Sequence, residues 1–176
     1  MLRSAFLKTL RDARRATAWW SIGLIAMTAL MVAVYPSVRD NPELNKMVED
    51  YPAAFKAFFG LGENVDYTSA IGYLNSELFS FMVPLLLLIA AIGAGARATA
   101  GEEERGTLDL LLANPVSRRR VVLEKLAALI VEVTFLALVL WLALVAGVAV
   151  IGMNVSAAHL AAATVSAALL AVSFGH

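Results

Sequence analysis

Three long runs without charge dominate the chain. Between Arg15 and Arg39 no Asp, Glu, Lys or Arg occurs, and the core "WWSIGLIAMTALMVAVY" can cross a hydrocarbon layer of roughly 30 Å at a helical rise of about 1.5 Å per residue. A second run, "LFSFMVPLLLLIAAIGAGA", lies between Glu77 and Arg97. Pro84 is expected to kink this helix, and Gly93 and Gly95 to admit close approach by another one. The third run extends from 133 to the end. As one helix it would be about 66 Å long, roughly twice the membrane core, so it must fold back once. The cluster of turn-formers "GMNVS", Gly152 to Ser156, is where it does so.

The pattern predicts an all-α protein: a polytopic transmembrane bundle of about four spans in one domain, 1–176. Its parts are an N-terminal interfacial helix (1–16), span one (17–36), an extracytoplasmic segment (37–76), span two (77–98), a cytoplasmic segment (99–120), span three (121–152) and span four (157–176). The first span follows basic residues as a signal peptide would. Its run exceeds the usual apolar core of such a peptide, however, and "AVYPSV" is a poor cleavage site, so it reads as retained. Lys and Arg set the orientation. Arg3, Lys8, Arg11, Arg14 and Arg15 precede span one, and Arg97, Arg105, Arg118, Arg119, Arg120 and Lys125 lie between spans two and three. Those sides are cytoplasmic, which places the N-terminus inside. The 36–76 segment and its edge set three basic residues, Arg39, Lys46 and Lys56, against Asp40, Glu43, Glu49, Asp50, Glu63, Asp66 and Glu77, and the segment faces outward.

Two segments outside the spans carry helical patterns. "LRSAFLKTLRDARRAT" sets Leu2, Phe6, Leu7 and Leu10 against Lys8, Arg11, Arg14 and Arg15, as an interfacial helix or an ordinary basic flank would. Outside, Asn41 and Pro42 start a helix with Leu44, Met47, Val48 and Tyr51 on one face, and Pro52 ends or kinks it. Phe55, Phe58 and Phe59 then pack on neighbours or on lipid headgroups.

Composition narrows the function. The chain is 60% hydrophobic and 16% charged with no net charge, so it lacks the concentrated basic footprint that nucleic acid requires. Cysteine is absent and His159 and His176 stand apart, which leaves no thiol nucleophile and no metal site. No catalytic residue and no cofactor-binding residue is identified. Paired carboxylates at Glu102 and Glu104 have neither nucleophile nor electrophile beside them.

Charge is instead concentrated in "GEEERGTLDLLLANPVSRRR", 101–120. Thr107 can cap a short helix that shows Leu108, Leu111 and Leu112 on one side, and Pro115 stops it. Arg118, Arg119 and Arg120 then sit at the head of span three, where the helix dipole disfavours them, so anionic lipid or a partner's acids must favour them. A solvated connecting loop is the plain reading; the capped leucine helix exceeds what a loop requires.

With Lys125 this stretch is similar to the segment between the second and third spans of ABC-2 type transporter permeases. In that family acids, Gly-Thr-Leu, a leucine run, a Pro, a basic cluster and a Lys occur in this order. The matching positions are Glu102, Glu104, Gly106, Thr107, Leu108, Leu111, Leu112, Pro115, Val116, Arg118, Arg119 and Lys125; Glu103 departs from the basic residue often found between the two acids. The resemblance implies a short cytoplasmic coupling helix that docks on a separate ABC ATP-binding subunit through these residues and Arg105. It also implies a multi-pass subunit of a bacterial exporter in the cytoplasmic membrane, paired with a second permease copy or paralogue among membrane lipids. No "GxxxxGK[ST]" occurs, so ATP and Mg²⁺ are expected on the partner and the chain is not expected to be an enzyme. The alternative is a non-transporting anchor or assembly subunit that recruits a cytoplasmic partner. Six spans are usual in the family, and "LAVSFGH" reads as an interruption, so a truncated chain, partial gene product or split subunit is expected. The cargo is not written in the spans.

One acid remains. Glu132 lies two turns beyond Lys125, either inside the membrane facing a cavity or at headgroup depth, with Arg97 as its expected partner. A proton or substrate role for Glu132 is a hypothesis that an unchanged pH dependence of transport in Glu132→Gln would discard.

Overall fold

The computed structural model describes residues 5–41, 43, 46–47, 50–58, 66, 68–104 and 118–175. All regular structure among them is helical: α1 (Ala5–Arg39), α2 (Ala53–Phe58), α3 (Ala70–Leu74), a π-helical turn (Asn75–Phe79), α4 (Met82–Glu104), α5 (Arg118–Ile151) and α6 (Ala157–Phe174). Four helical stretches are long and apolar enough to cross a membrane: Phe6–Arg39, Ala70–Ala98, Arg119–Ile151 and Ala157–Phe174.

The basic segment runs into the first span without a break. "ARRATAWW" contains neither Gly nor Pro, so nothing ends the helix between them. Pro36 lies inside the last turn of α1, which continues to Arg39.

The second span begins earlier than its hydropathy suggests. Asn75, Ser76 and Glu77 make the stretch look polar, yet Ser76 is buried and donates to the Gly72 carbonyl at 2.7 Å. Hydroxyls that bond back to their own helix are tolerated in a span. The break in this span also lies elsewhere than at Pro84. A π turn at 75–79 passes into a turn at 80–81, where the Ser80 N–H and hydroxyl both donate to the Asn75 carbonyl at 2.8 Å. α4 then restarts at Met82, so Pro84 occupies its first turn, where the missing N–H costs no intrahelical bond.

The ends of the long helices follow from local chemistry. α5 ends where Gly152 takes φ +71°, a conformation that favours glycine, and Ser156 caps α6 by accepting from the Ala158 N–H at 3.2 Å. In the 37–69 segment, Asn41 Oδ1 accepts from the Glu43 N–H at 3.2 Å, and the Pro52 carbonyl accepts from Phe55 and Lys56 at the head of α2. Tyr51 and Phe55 stack edge to face at 4.9 Å, both exposed. Leu44, Val48 and Phe59 lie outside the described residues.

α1 and α5 form the most extensive seam and run parallel. Phe6 meets Glu124, Thr17 meets Glu132, and a Cβ on Gly147 would meet Val32. α1 buries Leu24, Thr28, Val32 and Tyr35, and α5 buries the stripe Leu129, Val133, Leu136, Leu140 and Leu144. In a bilayer lipid tails are as apolar as these side chains, so close packing supplies the attraction. Along α4 and α6 the residues are smaller. Ala90, Ala91 and Ala94 pack with Ala167 and Ala171, and a Cβ on Gly95 would collide with the Gly175 carbonyl oxygen. At the far end Tyr35 donates to the Thr68 carbonyl (3.2 Å) and Tyr73 to the Met31 carbonyl (2.9 Å), joining α1 to α3.

Thr28 is the exception within the α1 stripe. It is 1% exposed and its hydroxyl has no hydrogen-bond partner among the described residues. An unsatisfied buried hydroxyl costs more than the methyl that would replace it, so Thr28→Val is expected to stabilise the bundle by about 1 kcal/mol. Equilibrium unfolding in mixed micelles, followed by helical circular dichroism, reads this directly; a loss of stability would mean that the hydroxyl has a partner in the membrane.

Candidate functional site

The charged strip joins α4 to α5. Glu102 and Glu104 fall in the last turn of α4 and Arg118 opens α5, while Arg105, Gly106, Thr107, Leu108, Leu111, Leu112 and Pro115 lie outside the described residues. Acids at a helix C-terminus and bases at an N-terminus both oppose the dipoles of the helices that carry them. Neither flank is charged for the benefit of its own helix.

Below the strip the two helices are pinned together. Lys125 Nζ donates to the Ala98 carbonyl at 2.6 Å, a charge-assisted bond between α5 and α4. Beyond this pin α4 continues from Ala98 to Glu104 and α5 reaches back to Arg118, so each projects about 10 Å. The strip is therefore carried on two helical stalks that share one fixed base. Nearby, Glu124 accepts from the Phe6 N–H (3.3 Å) and from Arg120 Nε (3.0 Å). The first carboxylate contact satisfies one of the N–H groups that the start of α1 leaves without an intrahelical partner.

Glu132 is the second polar junction. Its side chain is 6% exposed, and its Oε1 lies 3.4 Å from Arg97 Nη2 and accepts from the Thr17 hydroxyl at 3.0 Å. The same hydroxyl reaches the Ala13 carbonyl at 3.1 Å. With one proton to give, it favours the charged acceptor. Three helices thus meet on one carboxylate: α1 through Thr17, α4 through Arg97 and α5 through Glu132 itself. Gly93 makes room for this, because a Cβ there would stand 3.3 Å from Arg97 Nη1. Gly95, not Gly93, is the glycine pressed against another helix end.

From Glu132 to Ile151 the helix rises about 28 Å, close to the thickness of the hydrocarbon layer, and the Glu132 side chain is buried by protein. Arg14 lies about one turn from Thr17 toward the basic end. A groove of about 550 Å³ between α1 and α5 is lined by Arg14, Thr17 and Ser21 from α1 and Glu132 from α5, beside Leu10, Ile22, Val131 and Phe135.

Thr17, Glu124 and the Lys125–Ala98 bond carry no sequence signal, since each pairing joins residues far apart in the chain. Beside the four helices long and apolar enough to cross a membrane, a family model described as ABC-2 family transporter protein matches residues 4–175. The chain belongs to that family. No curated protein and no solved structure matches it. As an ABC-2 permease it is a multi-pass membrane component of an ABC transporter, and membership implies association with an ABC ATP-binding subunit; the family is the membrane component and not the ATPase.

Proposed function

We propose that this permease couples ATP hydrolysis on a separate nucleotide-binding subunit to export of a substrate across the cytoplasmic membrane. The strip within 99–120 docks on that subunit, which binds ATP and Mg²⁺. The observation that carries this reading is the pin at Lys125–Ala98 beneath two projecting stalks. A load applied to the strip is passed to α4 and α5 together through that shared base. Glu102, Glu104, Arg105, Arg118 and Arg119 supply the charges that meet the partner, and Leu108, Leu111 and Leu112 the apolar contact. The bias of Lys and Arg supports a cytoplasmic N-terminus and a cytoplasmic strip. A second permease copy or paralogue completes the path across the membrane.

Co-purification in nanodiscs with the ATPase encoded beside this chain tests the reading. Leu111→Asp/Leu112→Asp puts two carboxylates into an apolar contact and is expected to weaken association at least roughly tenfold. Association that survives the double substitution would remove the strip from the interface. Failure to find any ATPase partner would favour a membrane anchor that recruits a different soluble protein.

A further inference from the structure

We propose that the groove between α1 and α5 binds an anionic phospholipid, with the phosphate on Arg14 and the acyl chains running inward past Ile22 and Phe135. This inference does not depend on docking of the ATPase.

The polar side chains of the groove leave one cation free. The Thr17 hydroxyl lies on Glu132 and the Ala13 carbonyl, and the Ser21 hydroxyl donates to the Thr17 carbonyl at 2.7 Å. Glu132, the acid among the lining residues, has its cation in Arg97 at 3.4 Å. Arg14 is exposed and has no hydrogen-bond or ion-pair partner among the described residues. What the groove can still hold by a polar contact is therefore an anion, and a planar guanidinium suits a phosphate with two parallel N–H donors.

The rest of the groove selects an anion that carries hydrocarbon. Arg14, Ala18 and Ile22 follow one another at four-residue spacing along one face of α1. From Arg14 to Ile22 the helix rises about 12 Å, so phosphate, glycerol and acyl chain can lie along it in their covalent order. Ala18 stands midway, where a larger side chain would close the path. Ile22, Val131 and Phe135, about half exposed, line the inner end and offer the chains an apolar track. Trp19, 73% exposed and between Arg14 and Ile22 along α1, is of the residue type that settles where headgroups meet chains. The change from cation to apolar wall thus falls at the depth where a lipid changes from head to tail. A free phosphate would leave that wall unused. Arg15 is also exposed and without a partner among the described residues, but it lies outside the groove.

The test is native mass spectrometry of the full chain released from detergent micelles, titrated with phosphatidylglycerol and phosphatidylcholine of identical acyl chains. Phosphatidylglycerol is expected to bind roughly tenfold tighter, because choline adds a second cation beside Arg14. Arg14→Gln should remove that preference and weaken phosphatidylglycerol roughly tenfold. Arg15→Gln removes the same charge outside the groove and should weaken it no more than about twofold. Ala18→Leu changes no charge and should weaken both lipids roughly tenfold by closing the path. Equal losses in Arg14→Gln and Arg15→Gln would overturn the assignment, since they would mark a diffuse attraction of the whole basic segment. So would undiminished binding by Ala18→Leu, or equal binding of the two lipids by the parent chain. Displacement of the lipid by glycerol phosphate, which has the phosphate and no chains, would overturn it in favour of a soluble ligand. Arg14, Arg15 and Ala18 are all exposed, so these variants keep the fold and a loss of binding reads the groove itself.

Discussion

Arg97→Leu is expected to destabilise the bundle by about 2–3 kcal/mol, while Arg97→Leu/Glu132→Leu returns to within about 1 kcal/mol of the parent chain. The asymmetry arises because a buried carboxylate that loses its cation retains its desolvation cost, whereas removing both charges removes the cost with them. Loss of one partner from a buried pair typically costs about 3–5 kcal/mol. The Arg97 side chain is 45% exposed, so water or headgroups already share its charge, and the lower figure applies. Thr17 remains on the carboxylate in the single variant and recovers part of the loss. Unfolding in mixed micelles of the parent, both single variants and the double variant gives the coupling directly. Additive losses would show that Arg97 and Glu132 act separately despite their 3.4 Å approach.

Gly147→Leu should cost about 3 kcal/mol or more, the other large effect expected in the membrane bundle. A Cβ at Gly147 would stand 2.9 Å from one Val32 γ-carbon and 3.2 Å from the other. Valine is stiff at χ1, and rotation only exchanges one methyl for the other, so relief requires the helices to separate. Separation there loosens the parallel α1–α5 seam, which also holds Thr17 on Glu132 and the Phe6 N–H on Glu124. Gly147→Ala is much milder, because the gain in helix propensity, up to about 1 kcal/mol, opposes the clash. Pairing Gly147→Leu with Val32→Ala should restore part of the stability. Absence of that rescue would place the damage outside this contact.

The four spans were legible because a bilayer permits few errors: a charge-free helical run of sufficient length has almost no other use. The turn at Gly152–Ser156 was legible for a related reason, since a single helix from 133 onward overshoots the membrane. The helical stretch that carries the second span begins ahead of Glu77, the charge that bounds the apolar run, because Ser76 is polar only until its hydroxyl is satisfied inside its own helix. Pro84 gives the opposite signal. A proline in an apolar run suggests a kink, but the π turn before it resets the helix and leaves the proline in a first turn. At the candidate site, sequence could propose Arg97 beside Glu132 because each is the charge of its sign nearest the end of its span. It could not propose Thr17, one hydroxyl among many, nor the groove, which exists only once α1 and α5 are side by side. The strip resembled its family without help from the fold, because its order of acids, leucines, proline and bases is a local pattern.

The seam between α1 and α5 also has a place in time. Thr17 and Glu132 are 115 residues apart, and at roughly 5–20 residues per second the ribosome takes about 6–23 s to pass from one to the other. During that interval the first helix occupies the bilayer without its main neighbour. Two of its hydroxyls are equipped for the wait: Thr17 can donate to the Ala13 carbonyl and Ser21 donates to the Thr17 carbonyl, so neither faces lipid unsatisfied. With α5 in place, the hydroxyl of Thr17 has a charged acceptor in Glu132 at 3.0 Å beside the Ala13 carbonyl at 3.1 Å. The hydroxyl that lets the nascent helix stand alone is thus the one that recognises its late-made partner.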